Sequence, residues 1–220
     1  FSSKGLSKKI KVALFFLTVL LIICMILTYS RGGWIAVTLA AILVGIFKSK
    51  KLLIGTIVMV IFLFFLSTTP IKERAASILA TPKTDRASLW QEAAAIIKDF
   101  PILGCGLNTY SIVAPNYKIA ADGGIYPHNS YLQMMAETGL LGLGAFLWMI
   151  ITVFKISLAN LKKINDEFYS ALLIGLLAGL FAFLCHSFVD VDLYSLPLRY
   201  LMWLVIGLIF AVQRIALNEK

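Results

Sequence analysis

Six apolar runs constrain this chain more than any other feature: residues 12–29, 33–47, 52–67, 130–154, 169–189 and 197–213. A helix crossing a bilayer needs about 20 mostly apolar residues, because its backbone polar groups must be satisfied internally. The run 33–47 is short, and Trp34 and the lysines beyond Phe47 stretch its ends to the interfaces. Composition agrees. Hydrophobic residues make up 60% of the 220 residues and charged residues 14%, with a mean hydropathy of +0.90. Soluble domains carry about 25% charged residues, so an ordinary soluble domain is excluded, and so is disorder. The expected fold is all-α. It is a single polytopic membrane domain over 1–220, with six transmembrane helices and a long external loop at 68–129. The chain begins at Phe1, and no small-residue cleavage site follows the lysine-rich start. It is therefore expected to be the C-terminal part of a longer protein.

Charge sets the expected orientation. With six spans, the segments holding Lys4 to Lys11, Lys48 to Lys51, Lys155 to Lys163, and Arg214 to Lys220 fall on one side. That side carries 12 basic and 3 acidic residues, net +9, while the other carries 8 of each, net 0. Basic loops stay cytoplasmic, so the +9 face is assigned there. The basic balance is thus a topology signal and implies no nucleic-acid partner. The three cysteines, Cys24, Cys105 and Cys185, match no metal or disulfide spacing and are expected as small buried hydrophobes.

The loop at 68–129 is far longer than usual connections, which points to function. Within it, residues 85–100 read as a helix, capped by Thr84 or Asp85 and ended by Pro101. Leu89, Trp90, Ala93, Ile96, Ile97 and Phe100 form an apolar stripe, and Arg86 falls on the same stripe, so it is expected to point inward. Gly104 and Gly106 follow. They permit a close backbone turn and can bring amide groups near an anion.

Few polar residues interrupt the apolar background. Arg31 lies in the hairpin Ser30-Arg31-Gly32-Gly33 between two spans. A charge there is a functional hypothesis by default, and the competing reading is an arginine snorkelling to headgroups. For Arg86 the competing reading is a salt bridge with Asp85, Glu92 or another loop acid. His128 stands at the mouth of the fourth span, where a neutral imidazole can take a proton from a hydroxyl, or simply cap the helix or hydrogen-bond at the interface. Asn129 beside it can hold an acceptor or a ring nitrogen. Glu137, nine residues on, must be paired, protonated or functional. His186 and Asp190, four apart, are expected to share a helical face and, with Arg199, to join two helices. Asp190 and Asp192 would make a weak cation site.

Five motifs occur in order: Ser30-Arg31-Gly32-Gly33-Trp34; Arg86-x3-Trp90; Pro101-x2-Gly104-x-Gly106; His128-Asn129-x-Tyr131-Leu132-Gln133; and Glu137-Thr138-Gly139-Leu140-Leu141-Gly142. Together they resemble the C-terminal core of the O-antigen ligase and polymerase superfamily, over about residues 12–213. The resemblance implies a bacterial inner-membrane glycosyltransferase of GT-C-like fold. Such an enzyme moves a glycan from undecaprenyl pyrophosphate to an acceptor hydroxyl of a glycan, lipid or protein on the periplasmic or external side. It implies inversion at the anomeric carbon and no cofactor or metal. By motif, Arg31 and Arg86 match the arginines that hold the donor pyrophosphate, and His128 matches the histidine that activates the acceptor. Gly104, Gly106, Asn129 and Glu137 are supporting residues.

The residues suit that chemistry. Fixed guanidinium groups bind phosphate oxygens bidentately and neutralise charge on the leaving group. Tyr110, Tyr117 and Tyr126 are candidate sugar-stacking faces. The rival class is a transporter or flippase for lipid-linked oligosaccharide or a small anion. Transporters often carry paired repeats and midplane sites, whereas here no repeat is visible and the polar residues gather at one surface. Topology is directly testable with impermeant thiol reagents on single cysteines at Lys83 and Lys162. Labelling in intact cells is expected at Lys83 and not at Lys162, and the opposite pattern overturns the orientation.

Overall fold

The structure is a computed structural model describing residues 7–28, 30–48, 54–55, 85–117 and 126–218. All regular structure among these residues is helical: α1 (Lys8–Leu27), α2 (Arg31–Lys48), α3 (Asp85–Asp99), α4 (Tyr110–Val113), α5 (Ser130–Leu161), α6 (Glu167–His186) and α7 (Leu196–Asn218). Short 3-10 turns lie at Ala114–Asn116 and Asp192–Tyr194. Helices α1, α5, α6 and α7 are long and apolar enough to cross a membrane, and α2 is a shorter apolar helix. The chain is a multi-pass helical membrane protein. The expected span 52–67 lies outside the described residues apart from Ile54 and Gly55.

The chain divides into two compact units. One contains Phe1–Leu53, Thr152–His186 and Tyr200–Lys220. In it α1 buries no residue, as expected of a helix that is apolar all round and faces lipid. Cys24 is accordingly exposed, not the buried hydrophobe expected, and all three cysteines are free. The Trp34 indole N–H donates to the Met25 carbonyl at 3.1 Å, tying α1 to α2, and the Ser30 hydroxyl caps α2 by accepting from Gly33 N–H at 3.1 Å. Ala36 and Ala40, four apart, are buried on α2, which packs against α6. Small residues at this spacing let membrane helices approach closely. The last turns of α5 meet α7 through buried amides: Gln213 donates to Ser157 Oγ at 3.0 Å and accepts from Asn160 at 2.9 Å.

The other unit contains Ile54–Ile151 and Ser187–Arg199. Its core gathers Ala93 and Ile96 of α3, Tyr110, Ala114 and Ala136. The organising feature is a break in α5 at Gly139, whose backbone (φ 65°, ψ −167°) lies in a region open essentially to glycine alone. In an unbroken helix Leu140 and Leu141 would donate to the carbonyls of Ala136 and Glu137. Instead they donate to Pro101 O at 2.9 Å and Ile102 O at 3.3 Å. The vacated carbonyls of Ala136 and Glu137 accept from Cys105 N–H at 2.8 Å and Gly106 N–H at 3.0 Å. The 101–106 turn thus replaces two helical hydrogen bonds with four of its own.

Two glycines make this exchange possible. A Cβ on Gly104 would overlap the Glu137 backbone, and one on Gly139 would overlap the Ile102 backbone. Gly104→Ala and Gly139→Ala are each expected to cost at least about 1–3 kcal/mol from backbone strain. Gly144, a helical glycine with nothing within 4 Å of an added Cβ, is the control. Its replacement by Ala should be neutral or stabilising by up to about 1 kcal/mol. Thermal unfolding in detergent, followed by tryptophan fluorescence, checks both, and equal midpoints for all three variants would refute the exchange.

Candidate functional site

His128 sits at the N-terminus of α5 in a left-handed backbone conformation, φ 46°. Such values are uncommon outside glycine, and strain of this kind gathers at functional positions. Two contacts hold it there. Pro127 before it is fully buried, and the Trp90 indole N–H of α3 donates to its carbonyl at 2.9 Å. After it, Asn129 Oδ1 accepts from the N–H groups of Tyr131 and Leu132, both at 3.0 Å. Asn129 is therefore the N-cap of α5, and its Oδ1 is engaged by backbone rather than by the imidazole. The same geometry removes helix capping as the reason for His128.

The imidazole Nδ1 faces Asp190 Oδ1 at 3.4 Å, and both side chains are about half exposed. This pairing corrects the expectation for Asp190. Helix α6 ends at His186, so Asp190 lies in the turn beyond it and shares no helical face with His186. The turn is held by Ser130, fully buried at the start of α5. Its N–H donates to the carbonyls of Ser187 (2.9 Å) and Asp190 (3.1 Å), and its hydroxyl donates to the Asp190 carbonyl at 2.9 Å. Leu193 N–H donates back to that hydroxyl at 3.2 Å. The anchor that fixes α5 thereby delivers Asp190 to His128. Asp192, in the 3-10 turn, is buried and accepts from Ser187 Oγ at 3.3 Å, whereas Asp190 faces His128.

Glu137 is buried, 1% exposed, and its carboxylate is surrounded by donors. Asn108 N–H reaches Oε2 at 2.8 Å; Tyr110 N–H and the Gln133 amide each reach Oε1 at 3.2 Å. The Tyr194 hydroxyl also bonds to it, and burial together with this anion pushes the Tyr194 pKa up. The amides that reach this anion belong to Asn108 and Tyr110, beyond the two glycines, whose own N–H groups go to the carbonyls of Phe100 and Glu137. Gly104 and Gly106 act through the backbone pairing described above. A buried carboxylate satisfied on all sides is stable as a clamp and poorly placed to meet a substrate hydroxyl.

Helix α3 is rotated from its expected orientation. Its buried face is Leu89, Glu92, Ala93 and Ile96, turned toward Glu92, so Trp90 (41%) and Phe100 (42%) stay partly exposed and Arg86 is exposed instead of pointing inward. Glu92 makes no ion pair with Arg86. Arg31 opens α2, and its side chain lies outside the described residues. Of the three candidate stacking tyrosines, Tyr110 is fully buried, and burial beside Glu92 raises its pKa. Tyr117 donates to Asp99 Oδ2 at 2.7 Å, a bond that pushes its pKa up to about 12. Tyr126 is exposed. No group of three or more His, Cys, Asp or Glu among the described residues is arranged to hold a metal.

A family model described as O-Antigen ligase matches residues 16–147, more than half of the chain. The chain is also similar to a Rhizobium meliloti (strain 1021) exopolysaccharide production protein, ExoQ, at 28% identity over 120 residues. That match covers 51% of this chain and 27% of the relative. No solved structure matches the chain.

Proposed function

We propose that this chain, which belongs to the O-antigen ligase family, transfers a glycan from undecaprenyl pyrophosphate to an acceptor hydroxyl at the bacterial inner membrane, on its periplasmic or external face. The observation that carries the reading is the His128–Asp190 pair, an imidazole and a carboxylate left accessible on a backbone built to present them.

The chemistry follows from the atoms. The acceptor oxygen attacks the anomeric carbon, the bond from that carbon to the pyrophosphate oxygen breaks, and the configuration inverts. The proton of the acceptor hydroxyl passes to His128 Nε2. Nδ1 is turned to Asp190, which selects the tautomer with the proton on Nδ1 and stabilises the imidazolium once Nε2 is protonated. A separation of 3.4 Å is long for this bond, and such contacts tighten when substrate binds. Glu137 is the poorer candidate because its carboxylate is buried and engaged by backbone and side-chain donors. Arg31 and Arg86 are assigned to the pyrophosphate, where a planar fork neutralises charge growing on the leaving oxygen. Exposure of Arg86 leaves its guanidinium available to a ligand.

Loss of a positioned base costs about 10²–10⁴-fold in rate. His128→Ala should lower transfer from a synthetic undecaprenyl-pyrophosphate donor by that order in the purified full-length protein, with donor binding retained. Asp190→Asn should cost less, and the double variant should be no slower than His128→Ala, because the two residues act as a unit. Near-normal turnover by His128→Ala, with donor saturating, would remove it from the chemistry.

The arginines are tested on binding. Arg31→Ala and Arg86→Ala should each weaken donor use, since a charge-assisted hydrogen bond is worth about 1.5–3 kcal/mol. Lys should restore little, lacking the bidentate fork. Donor affinity unchanged in both Ala variants would refute the assignment.

A further inference from the structure

We propose that the 101–107 turn is a membrane-boundary wedge, with Ile102, Leu103 and Leu107 embedded in the hydrocarbon of the leaflet on the loop side. The inference is independent of the transfer reaction. It rests on three observations.

The first is apolar exposure where a connecting loop should be polar. Ile102 is 61% exposed, Leu103 74% and Leu107 75%. Large contiguous apolar patches on a protein surface mark contact with another apolar phase.

The second is continuity with a lipid-facing helix. Leu140 and Leu141, each 60% exposed, hydrogen-bond through their N–H groups to Pro101 and Ile102. The exposed leucines of the turn therefore extend the surface that α5 continues with Leu147, Trp148 and Ile151. The height also fits. From Leu140 to Leu161 the helix is roughly 33 Å long at about 1.5 Å per residue, enough to cross hydrocarbon about 30 Å thick. Lys155 near the far end can snorkel to the interface. The part before Gly139, with its buried Gln133 and Glu137, then stands above the hydrocarbon, and the turn docked at Gly139 lies at the boundary.

The third is polar economy. Irregular backbone is tolerated at membrane depth where protein satisfies its polar groups. The carbonyls of Pro101 and Ile102 accept from α5; the N–H groups of Cys105 and Gly106 donate to α5, that of Asn108 to Glu137, and that of Gly104 to Phe100 O at 3.2 Å. The turn spends these groups inward and presents aliphatic side chains outward. Bilayer acyl chains are the occupant that such a surface fits.

Fluorophore depth measurement tests this on the full-length protein in nanodiscs of phosphatidylethanolamine and phosphatidylglycerol, free of polyprenyl lipid. Cys24, Cys105 and Cys185 are replaced by Ala, and an NBD group is attached through Leu103→Cys or, separately, Leu107→Cys. Trp148→Cys, on the exposed face of α5, is the lipid reference, and Gln91→Cys, exposed on α3, is the water reference. At both turn positions the emission should be blue-shifted from the Gln91 position, quenched by nitroxide-bearing lipid and protected from iodide. Quenching by iodide and not by lipid would place the turn in water and overturn the proposal. Protection from both quenchers would mean that protein covers the patch, and that also overturns it. Labelling the two sites separately keeps the result readable if one variant misfolds.

Discussion

The exchange of backbone hydrogen bonds at Gly139 is the interaction on which the rest of the loop-bearing unit depends. A helix broken inside or beside a membrane exposes two carbonyls and two N–H groups, and leaving them unpaired in apolar surroundings costs several kcal/mol. Here the turn at 101–106 meets all four with complementary groups of its own. Complementarity of this kind requires the two backbones to touch, which is why glycine stands at 104 and at 139. The Glu137 carboxylate then continues the contact outward by taking the N–H groups of Asn108 and Tyr110. Residue 137 thus pairs with the turn through its main chain and its side chain together.

From that junction the structure builds toward His128 in steps that each have a local cause. The clamp brings Tyr110 and Ala114 onto the buried face of α3. With α3 in place, Trp90 reaches the Pro127 carbonyl. Asn129 caps α5 one residue later, and Ser130 gathers the carbonyls at 187 and 190. Between a pinned residue 127 and a capped helix, His128 has no choice but the left-handed conformation, and its ring is held at the surface facing Asp190.

Legibility in sequence followed the range of the interaction. Apolar runs report burial in lipid, a property of each segment alone, and so five of the six spans could be read as helices before any contact was known. Helix α3 was also readable, since a capping residue at one end and Pro101 at the other are local signals. Its rotation was not. Periodicity marks an apolar stripe but cannot see that Glu92 is drawn to the inner face, a shift that turns Arg86 outward. Asp190 escaped for a similar reason. Spacing by four implies a helical face only if the helix continues, and Ser130, distant in sequence, ends it at His186. For Glu137 the sequence narrowed the answer to paired, protonated or functional, and only the fold supplies the donors.

The two acids near the start of α5 show how environment divides roles between identical charges. Glu137 is enclosed and satisfied by donors fixed to the backbone, so moving it would leave several of those donors unpaired, and it holds the fold together. Asp190 is about half exposed and has two partners, His128 and the N–H of Val191, which meets its Oδ1 at 2.9 Å. The backbone bond aims the carboxylate, and the imidazole it faces stays about half exposed. In the reaction proposed above, that combination suits a proton-handling pair: one member located by the fold, and a ring open to solvent. An acceptor of the kind proposed above would meet such a ring at the protein surface. The enclosure of the junction at Gly139 and the exposure of the pair at His128 therefore separate structure from access within the loop-bearing unit. The first rests on the four exchanged backbone bonds and the donors around Glu137, and the second on an imidazole left about half exposed.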